Sequence, residues 1–148
     1  MKIASWNVRG CNKAQRQMEV LSFIKKHKID IIDILETRVK EKNCDRLIKK
    51  MFNKLSFANN YDFHPNGRIW VLWDNLKVDV SVLHKSDQLI HCLVKGDSLT
   101  CLVTFIYGKN TGNERNSLWS DLYQLSQGIS CPWICLGDFN IVLAESEE

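Results

Sequence analysis

The sequence predicts an α/β protein in which two β-sheets pack face to face with helices outside them. Three observations predict it. The chain opens on a strand–helix–strand pattern, a strongly amphipathic helix follows, and from Tyr61 onward the hydrophobic period changes from helical to alternating.

Lys2 to Val8 reads as a short strand, and Ile29 to Leu35 as a second, nearly continuous apolar one of the kind buried on both faces. Between them the pattern predicts a helix over Ala14 to His27, with Met18, Leu21 and Ile24 on one face and Val20 and Phe23 alongside. Cys44, Leu47, Ile48, Met51, Phe52 and Leu55 then follow the spacing of one helical face, leaving Arg46, Lys49 and Lys50 to water. Strands are predicted at Tyr61 to His64, Ile69 to Trp73, Lys77 to His84, Leu89 to Lys95 and Leu99 to Tyr107. Pro65-Asn66-Gly67 and Gly96-Asp97-Ser98 supply turns, because Pro fixes φ while Gly and Asn tolerate positive φ. Val78, Val80 and Val82 alternate with Asp79 and Ser81, as on a sheet with one dry face. A third helix over Glu114 to Leu125 carries Leu118, Trp119, Leu122 and Leu125 inward, and Trp133 to Leu136 forms a last buried strand.

Composition excludes several classes. The 148 residues are 45% hydrophobic and 25% charged, as in ordinary globular proteins. No apolar run approaches the roughly 20 residues of a bilayer span, and the amino terminus lacks the apolar core of a secretory signal, so an intracellular protein without membrane contact is expected. A net charge of +3 permits a nucleic-acid partner without identifying one. Of the six cysteines, Cys92, Cys101 and Cys135 sit inside apolar runs and are expected as core thiols. Cys131 and Cys135 have the wrong spacing for a zinc knuckle.

Four predicted strands end in polar residues they do not need: Trp6 is followed by Asn7, Leu35 by Glu36, Ile106 by Tyr107, and Gly137 by Asp138, with Asn140 two residues on. Each alone is explained by a turn or a solvated strand end. Gathered at one edge of a sandwich, they would bring together two carboxylates, two carboxamides and a phenol. Such oxygen donors suit Mg²⁺, which keeps several waters when held by one or two carboxylates.

Ser5-Trp6-Asn7-Val8-Arg9-Gly10, Leu35-Glu36-Thr37, Gly67-Arg68-Ile69-Trp70, Thr104-Phe105-Ile106-Tyr107-Gly108 and Gly137-Asp138-Phe139-Asn140 stand in one order. In that order they resemble the successive motifs of the endonuclease/exonuclease/phosphatase superfamily, most nearly the endonuclease domain of plant non-LTR (LINE-type) retrotransposons. The resemblance implies a four-layer αββα sandwich, and a hydrolase that uses Mg²⁺, or Mn²⁺, to cut phosphodiesters in DNA. It further implies Glu36 as principal metal ligand with Asn7 beside it, and Tyr107 on the scissile phosphate. Asp138 would orient or deprotonate the attacking water, and Asn140 would hold the water or the phosphate. Arg9, Lys13, Arg16, Lys109 and Arg115 are the basic residues expected to touch nucleic acid. A retroelement endonuclease would act in the nucleus, and no obligate protein partner is evident.

The sequence also departs from the pattern. The Ser-Asp-His motif that closes the family's site is not found, since none of His27, His64, His84 or His91 follows an aspartate. The span 1–148 is therefore expected to be the amino-terminal half of a truncated domain, inactive alone. Leu35 replaces a glutamine, and Asp33 interrupts an apolar strand, where a lone buried carboxylate is costly. Two alternatives remain open at this point: a non-catalytic remnant or nucleic-acid-binding module, and a phosphoinositide or nucleotide phosphatase of the same superfamily.

Overall fold

The computed structural model describes residues 1–142, so the last six residues of the 1–148 span lie outside the described residues. Two four-stranded sheets face each other. The first has the order β1 (Ile3–Asn7), β2 (Ile31–Leu35), β4 (Ile69–Trp73), β3 (Ser56–Asn59). The second runs β5 (Asp79–Lys85), β6 (Leu89–Lys95), β7 (Thr100–Tyr107), β8 (Trp133–Asp138). Both are mixed: β1 and β2 are parallel, as are β7 and β8, and the remaining pairs are antiparallel.

Side-chain alternation assigns the layers. On β2, Ile32 and Ile34 face outward and pack with Val20 and Ile24 of α1 (Ala14–His27) and Cys44 and Ile48 of α2 (Glu41–Met51). Ile31 and Leu35 face inward and meet Ile69, Val71, Ile90, Cys92, Val103 and Phe105 between the sheets. On the far side, Leu118 of α3 (Gly112–Ser126) packs on Leu89 and Ile106. The layer order is helix, sheet, sheet, helix, as expected for the αββα class. Strands buried on both faces explain why β2 and β4 read as continuous apolar runs. Among the described residues no helix is long and apolar enough to cross a membrane.

Several details differ from the sequence reading. The buried stripe of α1 is Gln17, Val20 and Ile24, while Met18 is 52% exposed. Gln17 is buried because its Nε2 donates to the Cys11 carbonyl at 2.9 Å, which satisfies the amide. Tyr61 to His64 is a turn, and the strand at this place is the earlier β3. Tyr61 is spent on the core instead: its hydroxyl donates to the Val39 carbonyl at 2.7 Å and accepts from Trp70 Nε1 at 3.1 Å. The dry face expected along Val78, Val80 and Val82 stops early. β5 is an edge strand with an irregular register between Val82 and His84, and Val82 is exposed. All six cysteines are free; Cys135, expected in the core, is exposed because β8 is the other edge of its sheet.

Among the described residues, Asp33 is the one buried carboxylate, and packing does not explain it. It stands opposite Ser5 in the ladder, is fully buried, and neither carboxylate oxygen has a hydrogen-bond partner among the described residues. Burial pushes its carboxyl up to about 8.

Candidate active site

β1, β2, β7 and β8 all deliver their carboxyl ends to one rim of the sandwich, because β1 pairs in parallel with β2 and β7 with β8. The strand-end residues meet there. Asn7 Nδ2 donates to Asp138 Oδ2 at 3.1 Å across the two sheets, and the Tyr107 hydroxyl donates to Glu36 Oε2 at 3.3 Å. Asn140 closes the group: its backbone N–H donates to Asp138 Oδ1 at 2.9 Å, and its side-chain amide donates to the Gly108 carbonyl. A cavity of about 560 Å³ opens beside them, lined by Ser5, Asn7, Leu35, Trp119, Asp138 and Asn140.

The backbone is unusual at this rim. Arg9, Glu36, Arg38 and Asn140 all have φ between 50° and 55°, a region that non-glycine residues rarely adopt. The fifth such residue among those described, Lys28, merely ends α1. Gly137 sets the approach of Asp138. Its φ is +136°, and a Cβ there would lie 2.0 Å from the Ile106 carbonyl oxygen, so only glycine lets β8 run this close to β7. Trp119 stacks on Phe139 with centroids 6.1 Å apart, fixing the segment from outside.

Charge at Glu36 is set by competing effects. Burial works to raise its pKa, but hydrogen bonds from Arg38, Asn7 and Tyr107, together with the Arg38 charge, outweigh it and hold the carboxyl below its usual range. Arg38 Nε donates to Glu36 Oε1 at 3.1 Å, and its Nη2 to the same oxygen. Burial and the Glu36 carboxylate push the Tyr107 phenol up, so it remains a donor. Arg68 lies over the Tyr107 ring at 5.5 Å from its centroid, and its carbonyl accepts from Glu36 N at 2.8 Å.

The residues fit a hard divalent cation. Glu36 and Asp138 bring two carboxylates to the rim, each held by a hydrogen bond from the opposite sheet, and oxygen donors of this kind suit such an ion. One or two carboxylates with several waters is the coordination that Mg²⁺ favours. At Asn7, Oδ1 accepts from the Arg9 backbone N–H at 3.1 Å while Nδ2 donates to Asp138, so the side chain links the two sheets at the rim.

The basic candidates divide. Arg9, Lys13 and Arg16 share one groove with Arg38, although Arg16 also pairs with Glu19 at 2.9 Å. Lys109 and Arg115 are committed to their own chain. Lys109 Nζ is 2.6 Å from Asp87, and Arg115 Nη1 donates at 2.8 Å to the carbonyls of Lys109, Asn110 and Asn140. Arg115 therefore holds the Asn140 segment in place. The sequence reading passed over Arg38 and Arg68. Arg38 stands two residues from Glu36 in the chain, and that nearness of opposite charges was the available signal. Arg68 stood inside the Gly67-Arg68-Ile69-Trp70 motif without being given a role.

A four-layer α/β sandwich with a polar rim at the carboxyl ends of its strands is thus the class of protein. The chain belongs to the Endonuclease/Exonuclease/phosphatase family, whose model matches residues 4–147. It is 40% identical over 45 residues to an exodeoxyribonuclease of Bacillus subtilis (strain 168), covering 30% of this chain and 18% of that protein. Among solved structures it resembles D. rerio TDP2 complexed with a single-strand DNA product, with a TM-score of 0.73 and 17% identity over 98% of this chain and 62% of that one. It also resembles a mannosyl-6-phosphatase of Bacteroides thetaiotaomicron, with a TM-score of 0.69 and 16% identity over 97% of this chain and 67% of that one. The chain therefore spans about two thirds of the solved relatives and a smaller part of the exodeoxyribonuclease.

Proposed function

We propose that this chain is the ion-binding and water-activating part of a phosphodiesterase that nicks DNA, of the non-LTR retrotransposon type, acting with Mg²⁺ in the nucleus. The observation that carries the reading is the meeting of Glu36, Tyr107, Asn7, Asp138 and Asn140 at one rim, joined across two sheets by hydrogen bonds. When bound, a divalent ion at Glu36 would neutralise charge developing on the phosphoryl oxygens. The chain's own residues do the rest. Arg38, Asn7 and Tyr107 keep Glu36 ionised and in place. The Asn140 amide keeps a second N–H beyond the one given to Gly108 and offers it to the phosphate, while the Tyr107 hydroxyl reaches the phosphate only by turning its one proton away from Glu36. Asp138, oriented by Asn7 and by the Asn140 N–H, accepts the proton of the attacking water.

Calorimetric titration with Mg²⁺ tests the ion. The wild-type chain is expected to bind it weakly and the Glu36→Gln variant not at all; equal binding would remove Glu36 from the site.

A second reading, a nucleic-acid-binding module without turnover, is favoured by one observation: Arg9, Lys13, Arg16 and Arg38 line one basic groove, which binding alone would use. The 148-residue chain alone is expected to leave supercoiled plasmid intact in Mg²⁺, and a chimera carrying the carboxy-terminal half of a relative to nick it. Nicking by the chain alone that disappears in Asp138→Ala overturns the second reading. A chimera that nicks equally well with Asp138→Ala overturns the first.

A further inference from the structure

Beside Glu36 lies a groove of about 420 Å³ lined by Arg38, Lys40, Asn66, Arg68 and Asn110, with Tyr107 and Glu36 as its inner wall. The geometry points to this groove as the seat of a backbone phosphate adjacent to the one cleaved, which makes the ligand a polynucleotide strand rather than a phosphomonoester. The inference rests on the hydrolase reading above and deepens it.

Charge comes first. Three cationic side chains border the groove against the single carboxylate of Glu36, and Arg38 already neutralises that carboxylate. Among the described residues no carboxylate lies within 4.0 Å of Lys40 or Arg68, so two cations face the groove without a partner. An anion is the ligand such a surface attracts. Planar, forked guanidinium groups suit phosphate oxygens in particular.

Position comes second. Arg68 is tied to the rim at both ends: its carbonyl accepts from Glu36 N, and its guanidinium lies over the Tyr107 ring. Tyr107 in turn donates to Glu36. A phosphate on Arg68 is thereby next to whatever occupies Glu36, and the pre-set guanidinium loses little freedom on binding it.

The third point decides between ligand classes. Arg38 also lines the groove of Arg9, Lys13 and Arg16, so the basic surface beside Glu36 continues through Arg38 into a second groove. A sugar phosphate brings one anion, which the rim itself would use. A strand carries further backbone phosphates, which two basic grooves joined through Arg38 can hold. Solvated surface lysines and arginines would produce a similar charge, and the following measurement separates the two cases.

Binding of a fluorescein-labelled single-stranded 12-mer is measured by anisotropy in EDTA between 25 and 200 mM salt, so that neither a metal ion nor cleavage contributes. A phosphate contact on a single strand contributes about 0.7 to the slope of log affinity against log salt. Arg68→Gln and Lys40→Gln are each expected to flatten the slope by about that amount. Lys26→Gln, on the exposed last turn of α1, should leave it unchanged. Lys40 is exposed, so its variant keeps the test open if Arg68→Gln fails to fold. Unchanged slopes in both variants, or a wild-type chain that ignores the 12-mer, overturn the inference. So does an equal weakening of thymidine 5′-monophosphate, which would make the groove the place of the reacting phosphate. A chain that shows these slopes yet never hydrolyses DNA with any ion, alone or in the chimera, refutes the hydrolase reading and leaves the groove standing.

Discussion

Replacing Asp33 by asparagine is expected to make the protein more stable at neutral pH and to remove a pH dependence that the wild-type chain carries. In the folded state the carboxyl keeps its proton to about pH 8, whereas in the unfolded chain it loses it near the ordinary value of 3.8. Below 3.8 both states are protonated and nothing is lost. Between the two values the folded state binds one more proton than the unfolded state, so stability falls as pH rises, by about 1.4 kcal/mol per unit. Above about 8 both are ionised and the loss levels off. From pH 5 to 7.5 the wild type should therefore lose on the order of 3 kcal/mol that the variant keeps, against a total stability of about 5–15 kcal/mol for a typical domain. Urea unfolding of both proteins across this range measures it, and the difference between them cancels the titration of every other group. Asp33→Leu, which restores an apolar side chain, should be the more stable of the two variants at each pH, since an amide between the sheets still lacks partners. Parallel profiles for wild type and Asp33→Asn would refute the reasoning, because they would mean that Asp33 is ionised in the folded state and stabilised by something other than burial.

Three other perturbations have defined outcomes. Gly137→Ala forces a Cβ to within 2.0 Å of the Ile106 carbonyl at a left-handed φ, so a loss of about 3 kcal/mol or more is expected in thermal unfolding; a normal melting temperature would show that β8 moves freely. Tyr61→Phe leaves the Val39 carbonyl and Trp70 Nε1 without their buried partner and should cost about 1–3 kcal/mol in urea, with less than about 0.5 kcal/mol counting against the network. Arg38→Gln frees the Glu36 carboxylate from its competing cation, and Mn²⁺ affinity followed by electron paramagnetic resonance should rise about threefold; weaker binding would show that Arg38 supports the ion rather than competing with it.

Helix α1 and strands β4 and β6 were legible in the sequence to the residue, because each is bounded by a change of period or a turn that the chain states locally. β3 was not. Ser56-Phe57-Ala58-Asn59 is half-buried throughout and carries no alternation, and its place is set by pairing with β4. Tyr61 reads as a strand residue from its type, yet its position is fixed by the Val39 carbonyl 22 residues away. At the rim the same division holds. Strand ends announced Asn7, Glu36, Tyr107 and Asp138 as polar residues without local purpose, but sequence says nothing about which atoms face inward, so the orientation of Asn7 and the commitment of Arg115 to three carbonyls emerged only in three dimensions. Exposure of Met18 and Cys135 has the same origin: an apolar residue on an edge element has no second layer to bury it.

The hydrogen bond between Asn7 and Asp138 joins residues 131 apart in the chain, and the one between Tyr107 and Glu36 joins residues 71 apart. Strand β8 reaches β7 only through the crossover of α3, whereas β5, β6 and β7 follow one another by short hairpins. Local hairpins close quickly and distant pairings late, so the rim should be the last part of the molecule to assemble and the first to come apart. During synthesis Asn7 waits for 131 further residues to emerge before its partner exists. A divalent ion that needs both Glu36 and Asp138 would favour the assembled form and so stabilise the last-formed strand against the first sheet. Amide exchange in β1 and β8 would then slow together on adding the ion, while the β5–β6 hairpin, which takes no part in the rim, keeps its own rate.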